Sequence, residues 1–223
     1  MITTKKKAKS LPEELRYINY NQFTYTKLET KPFEYMVVSE FITKHTLDAV
    51  IDDFPAIKVG GSFPLDIVKC GKEFLGFIEE LKGDSFRKAV EEKFTVSLIN
   101  RPVMITARGQ CGNNDGKIHI DSKGKIITVL VYLNKKWDIE GGKLRLLSNR
   151  YNLENYVVEV TPLAGTLIIF KCCDHAWHGH KKFIGERQSI QLNWVIDSSY
   201  LEKERIRHKI SALFKKIKSF FKS

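Results

Sequence analysis

The chain has 223 residues, 43% of them hydrophobic and 28% charged, with a formal net charge of +11. That length suits one domain with appended ends, the apolar content is ample for a core, and no window approaches the roughly eighteen uninterrupted apolar residues of a membrane span. The two ends, residues 1–10 and 200–223, hold +4 and +6 of the charge, so the body is nearly neutral, which argues against a broad nucleic-acid-binding face.

In chain order, residues 1–12 read as a basic disordered leader. No apolar run follows it, so it does not resemble a secretory signal, and a cytoplasmic location is expected. Alternation from Phe33 to Phe41 predicts a strand. Thr43 or Thr46 is placed to cap a helix that Pro55 stops. Lys58 to Pro64, with Gly60-Gly61, reads as a loop. Apolar spacing predicts further helices over 65–81 and 85–94. Beyond Pro102 the texture changes to short strands near 103–108, 117–121, 126–133, 143–147, 156–160, 166–170 and 188–196, parted by turn residues such as Asn113-Asn114-Asp115-Gly116 and Gly141-Gly142. Helices followed by many short strands indicate an α+β chain whose β part is a sandwich or jelly roll. Cys70, Cys111, Cys172 and Cys173 have no metal-type or redox-type spacing and are expected to be reduced thiols.

The chemistry concentrates between His119 and Ser189. In His119-Ile120-Asp121, on or just after a strand, the two outer side chains face the same way. Asp174-His175-Ala176-Trp177-His178-Gly179-His180 offers three histidines for a third ligand, while His45 and His208 read as surface residues. Two imidazoles and a carboxylate with an open face suit a non-haem Fe(II) centre that activates O2. A zinc hydrolase would need a positioned general base, and no zincin-like motif is present. Arg187 stands in a strand that otherwise reads as core, where a guanidinium needs an anionic partner.

His119, Asp121, His178, Arg187 and Ser189, in that order and spacing, resemble the motif of the Fe(II)/2-oxoglutarate-dependent oxygenases. The run from Tyr132 to Asp138, then Gly141-Gly142-Lys143-Leu144-Arg145, is similar to the prolyl-hydroxylase-like branch, and the resemblance covers about residues 100–196. It favours His178 over His175 and His180, because Arg187 follows His178 by nine residues. It implies a double-stranded β-helix (jelly roll) with supporting N-terminal helices. His119, Asp121 and His178 would be the metal ligands, and Arg187, Ser189, Tyr132 and Thr128 the co-substrate residues. Fe(II), 2-oxoglutarate and O2 would be the cofactors, with ascorbate as an accessory reductant. A peptidyl proline or another protein side chain is the leading substrate, and a small molecule, lipid or sugar the alternative. A binding protein that kept the scaffold without chemistry is the competing class. The nucleic-acid demethylase branch places a second Arg six residues after the first, and Asn193 stands there. Arg145 is a candidate for the pocket mouth, whereas Trp137 and Trp194 read as packing residues.

The domain reading is therefore a leader at 1–12, an oxygenase domain at 13–198 with helical support at 43–94 and a jelly-roll core at 100–196, and a basic amphipathic helix at 199–223. In that helix Ile206, Ile210, Leu213, Phe214, Ile217, Phe220 and Phe221 recur every three or four residues. The stripe would either pack on the domain or adsorb to an anionic membrane surface.

Overall fold

The computed structural model describes residues 16–220, with side chains as far as Ser211. The leader expected at 1–12 and the aromatic end of the tail stripe lie outside the described residues. The helices are α1 (Tyr20–Tyr25), α2 (Lys44–Asp52), α3 (Lys72–Lys82), α4 (Asp84–Phe94) and α5 (Ser198–Phe220). The strands are β1 (Tyr35–Val38), β2 (Phe63–Pro64), β3 (Val103–Cys111), β4 (Lys125–Tyr132), β5 (Leu144–Leu147), β6 (Tyr156–Val160), β7 (Leu167–Lys171), β8 (His178–His180) and β9 (Gly185–Val195). They form two antiparallel sheets, β1-β7-β4-β9-β3-β2 and β6-β5-β8.

Alternation along β4 explains the layers. Ile127, Val129 and Val131 point to one face, where they join Ile190, Leu192 and Trp194 of β9 and meet Phe74, Phe77, Phe86 and Phe94 of α3 and α4 in the larger core. Thr128, Leu130 and Tyr132 point to the other face. There Tyr132, Ile168 and Phe170 pack against Leu144, Leu146 and Val160 of the smaller sheet. Polar residues on this inner face are thus enclosed between two sheets.

Several boundaries differ from the sequence expectation. Residues 65–81 are not one helix. A 3-10 turn spans Leu65–Ile67, and Val68 is extended at φ −125° and ψ 149°. The α3 helix starts only at Lys72, where Asp53 reaches in from the end of α2 to accept the Glu73 N–H at 2.7 Å. This cap supplied from elsewhere in the chain fixes the start. Residues 117–121 form no strand but are extended and joined to β8 by a single bridge. The short helix α1, started by Asn19 accepting the Gln22 N–H at 3.1 Å, was not predicted.

The helix α5 is present, but its docked face is polar. Leu201, Glu204, His208 and Ser211 turn toward the body, while Ile206 and Ile210 are each 51% exposed. Among the described residues the apolar stripe does not pack on the domain, and His208 is half-buried rather than on the surface. No described helix is long and apolar enough to cross a membrane.

Candidate metal centre and anion clamp

His119 and His178 are held together by their backbones. The His119 N–H donates to the His178 carbonyl at 3.0 Å and the His178 N–H donates back at 2.9 Å, which brings the imidazole centroids to 4.3 Å. Asp121 joins them, and one donor atom from each of the three lies within 4.8 Å of the others. In both rings Nδ1 faces a carbonyl oxygen, Lys117 O for His119 and Ala176 O for His178, each at 2.9 Å. A carbonyl only accepts, so Nδ1 carries the proton and Nε2 keeps its lone pair for a metal. Burial pushes the His178 pKa down to about 4, which keeps that ring neutral at physiological pH. His175 is exposed, and the buried His180 donates Nδ1–H to its neighbour's carbonyl, Lys181 O, at 2.8 Å. Neither joins the three.

Asp121 is almost enclosed. Burial alone would raise its pKa, but the Lys125 ammonium, 2.7 Å from Oδ1, brings it down to about 2 with help from His178 and Thr128. The Thr128 hydroxyl donates to Oδ2 and accepts from Asn193 Nδ2 at 2.7 Å. Thr128 is therefore committed to the carboxylate rather than to the far end of the pocket where the resemblance would seat it. Lys125 and Asn193 were not read from the sequence as site residues.

The far end is built by β4 and β9, where Tyr132 pairs with Ser189. Arg187 is 5% exposed. It donates Nε–H to Gly142 O at 2.8 Å and Nη2–H to the Tyr132 hydroxyl at 3.1 Å. Among the described residues no carboxylate lies in ion-pair range of it. A buried guanidinium without an acid is a costly arrangement that a bidentate anionic ligand would complete. Ser189 lines the same cavity of about 510 Å³ as the three candidate ligands, Thr128 and Arg187.

Arg145 does not reach this cavity. Leu144 and Leu146 face the inter-sheet core, so Arg145 takes the opposite face of β5, where it pairs with Glu159 and Glu154 and stacks on Tyr156 at 4.3 Å. Trp137 packs against Phe183 and Trp194 against Phe86, as expected. All four cysteines are free.

Residues 106–195 match the family model described as the 2OG-Fe(II) oxygenase superfamily. That segment is similar to the 2OG-Fe(II) oxygenases. The fold is similar to a prolyl-4-hydroxylase from Pseudomonas putida, with TM-score 0.54, 15% identity, and coverage of 80% of this chain and 97% of the other. It is also similar to a viral collagen prolyl hydroxylase from Paramecium bursaria Chlorella virus-1, solved with 2OG, at TM-score 0.51 and 15% identity over 73% of this chain and 96% of the other. No curated protein matches the chain. The match indicates a dioxygenase, and the matched family uses Fe(II), 2-oxoglutarate and O2.

Proposed function

We propose that the protein is a hydroxylase in which His119, Asp121 and His178 hold Fe(II) while Arg187 and Ser189 bind the distal carboxylate of 2-oxoglutarate, with the Tyr132 hydroxyl holding Arg187 in place. The two sheets are read as the halves of a double-stranded β-helix and residues 13–198 as the catalytic domain. The observation that carries this reading is the pairing of the three donors with a buried, acid-free guanidinium in one cavity. The donor set fits the metal: two Nε2 lone pairs and an ionised carboxylate leave a face open.

With both cofactors bound, the iron centre supplies the oxidative chemistry that converts O2 and 2-oxoglutarate to succinate, CO2 and a hydroxyl on the substrate. The chain's own part is placement. The carbonyls of Lys117 and Ala176 fix the tautomers of the two imidazoles. Thr128 orients the Asp121 carboxylate. Arg187 offers a planar, always charged donor pair at a depth where water competes little. The leading substrate is a protein side chain, a peptidyl proline first, as the prolyl hydroxylases of similar fold suggest.

Anaerobic addition of Fe(II) and then 2-oxoglutarate tests the centre through the metal-to-ligand charge-transfer band. No band with folded protein would sink the reading; succinate release with a peptide panel then tests the substrate. The C-terminal helix is read as an adsorbing element for an anionic membrane surface, which the exposure of Ile206 and Ile210 beside basic residues supports.

A further inference from the structure

The cavity is electropositive beyond what its cofactors need. Its charged lining residues are Arg108, Lys117, Lys125, Arg187 and Arg207 against Asp115 and Asp121, and its apolar ones are Ile120, Leu130 and Leu144. No Phe, Tyr or Trp is among its lining residues, so it lacks the aromatic walls on which a neutral proline-rich segment would settle. A divalent cation and a dicarboxylate would cancel in charge, Asp121 offsets Lys125 and Asp115 offsets Arg108, and the hydrogen bonds of Arg187 would go to the co-substrate. Arg207 is paired with Glu204 on its own helix. Two basic side chains keep donors for something else.

Arg108 is the first. It lies on β3 beside Ser189 of β9, one strand over from the co-substrate end. One of its nitrogens, Nη1, is 2.8 Å from Asp115 Oδ1, and Nη2 has only a 3.4 Å contact to Ser62. A guanidinium has five N–H donors, so most of its capacity is unspent. Asp115, fixed by accepting the Gly112 N–H at 2.8 Å, offsets the charge of Arg108 and holds it in place, leaving its other N–H groups to donate elsewhere. Lys117 is the second. It is exposed at the rim, two residues before His119, and makes no ion pair among the described residues.

We propose that the substrate presents a carboxylate to Arg108 and Lys117, so that the enzyme acts on an acidic peptide, with Asp or Glu close to the hydroxylated residue. This rests on the oxygenase reading above. Arg108 then determines specificity by bidentate capture, and Lys117 steers the acid to the rim.

The test uses the full chain loaded with Fe(II) and 2-oxoglutarate, after the charge-transfer band has shown that the centre forms. Succinate release is measured with matched proline peptides whose flanking residues are Asp/Glu, Asn/Gln or Lys, with free aspartate and glutamate, and with a single-stranded oligonucleotide. The acidic peptides are expected to have a KM at least tenfold below their amide counterparts. Arg108→Gln and Lys117→Glu should each remove most of that difference, whereas Arg108→Lys should keep part of it. Lys117→Glu is an exposed change, so its effect does not depend on whether Arg108→Gln folds. Arg108-dependent turnover of the free acids would support the carboxylate site and identify a small-molecule source. Three results would overturn the proposal with the oxygenase reading intact: equal use of amide or Lys peptides, turnover of the oligonucleotide alone, or an Arg108→Gln variant that raises KM for 2-oxoglutarate but not for peptide.

Discussion

The Lys125→Met substitution should tighten metal binding. In the structure the Lys125 ammonium sits 2.7 Å from Oδ1 of Asp121, with both side chains nearly enclosed at 11% and 8% exposure. A metal approaching Asp121 must share the carboxylate with that cation and tolerate its charge a few ångströms away. Two unit charges about 4 Å apart interact by about 4 kcal/mol at an effective dielectric near 20. Lys125 can swing its long stem into the open part of the cavity, so most of that repulsion is relieved in the loaded state. A residual of about 1.4–2.7 kcal/mol corresponds to roughly 10- to 100-fold in affinity. The metal-free variant should lose stability, by about 2 kcal/mol, because Asp121 loses its cation but keeps the Thr128 hydrogen bond. Calorimetric titration with Mn(II), paired with thermal unfolding in chelator and in metal, measures both quantities. The expected signature is a lower Tm in chelator, a larger upward shift on adding Mn(II), and tighter binding. A folded variant that binds Mn(II) more weakly than the parent would refute the reasoning and make Lys125 an orienting support of Asp121.

Four further outcomes are expected. Asp121→Ala should abolish succinate formation and the charge-transfer band while the fold, followed by circular dichroism, persists. Arg187→Met should raise KM for 2-oxoglutarate about 100-fold or more, from the loss of two charge-assisted hydrogen bonds at about 1.5–3 kcal/mol each, and Arg187→Lys should recover only part of it. Phe86→Ala should cost about 3–5 kcal/mol in denaturant unfolding, since Phe86 is fully buried against Phe23, Phe41 and Trp194. The pair Ile206→Asp and Ile210→Asp should leave Tm within about 1 °C, exposed positions being usually neutral, yet abolish sedimentation with anionic liposomes; unchanged sedimentation would remove the membrane role.

Much of the site was legible because its signals are local. Alternation in Thr128-Val129-Leu130-Val131-Tyr132 assigns the inner and outer faces of β4 correctly, and the isolated Arg187 in an apolar strand stands out for the same reason. What escaped were features set by irregularity. Strict alternation would put Lys125 on the helix-packed face with Ile127 and Val129. The register shift between Lys125 and Ile127 reverses that parity and turns the ammonium to Asp121. A second shift, between Arg108 and Gln110, lies beside another unread cation of the cavity. Arg145 was misplaced for the opposite reason: there alternation holds, and counting from Leu144 and Leu146 would have sent it away from the pocket.

The C-terminal helix shows where periodicity stops being informative. A stripe at three- and four-residue spacing marks an apolar face, but burial follows from what the body offers to receive it. Here the body offers Asp66, which pairs with Lys209 at 2.7 Å and Arg205 at 3.4 Å, so the helix docks through charge and leaves Ile206 and Ile210 outside. Its first turn does more. The Tyr200 hydroxyl bonds Ser122, and the Tyr200 ring fills the space that a side chain on Gly124 would need. Ser122 and Gly124 lie in the short loop between Asp121 and the start of β4 at Lys125, so docking of the helix and placement of the carboxylate share one piece of backbone. The same helix also reaches the cavity directly, since Arg207 is among its lining residues.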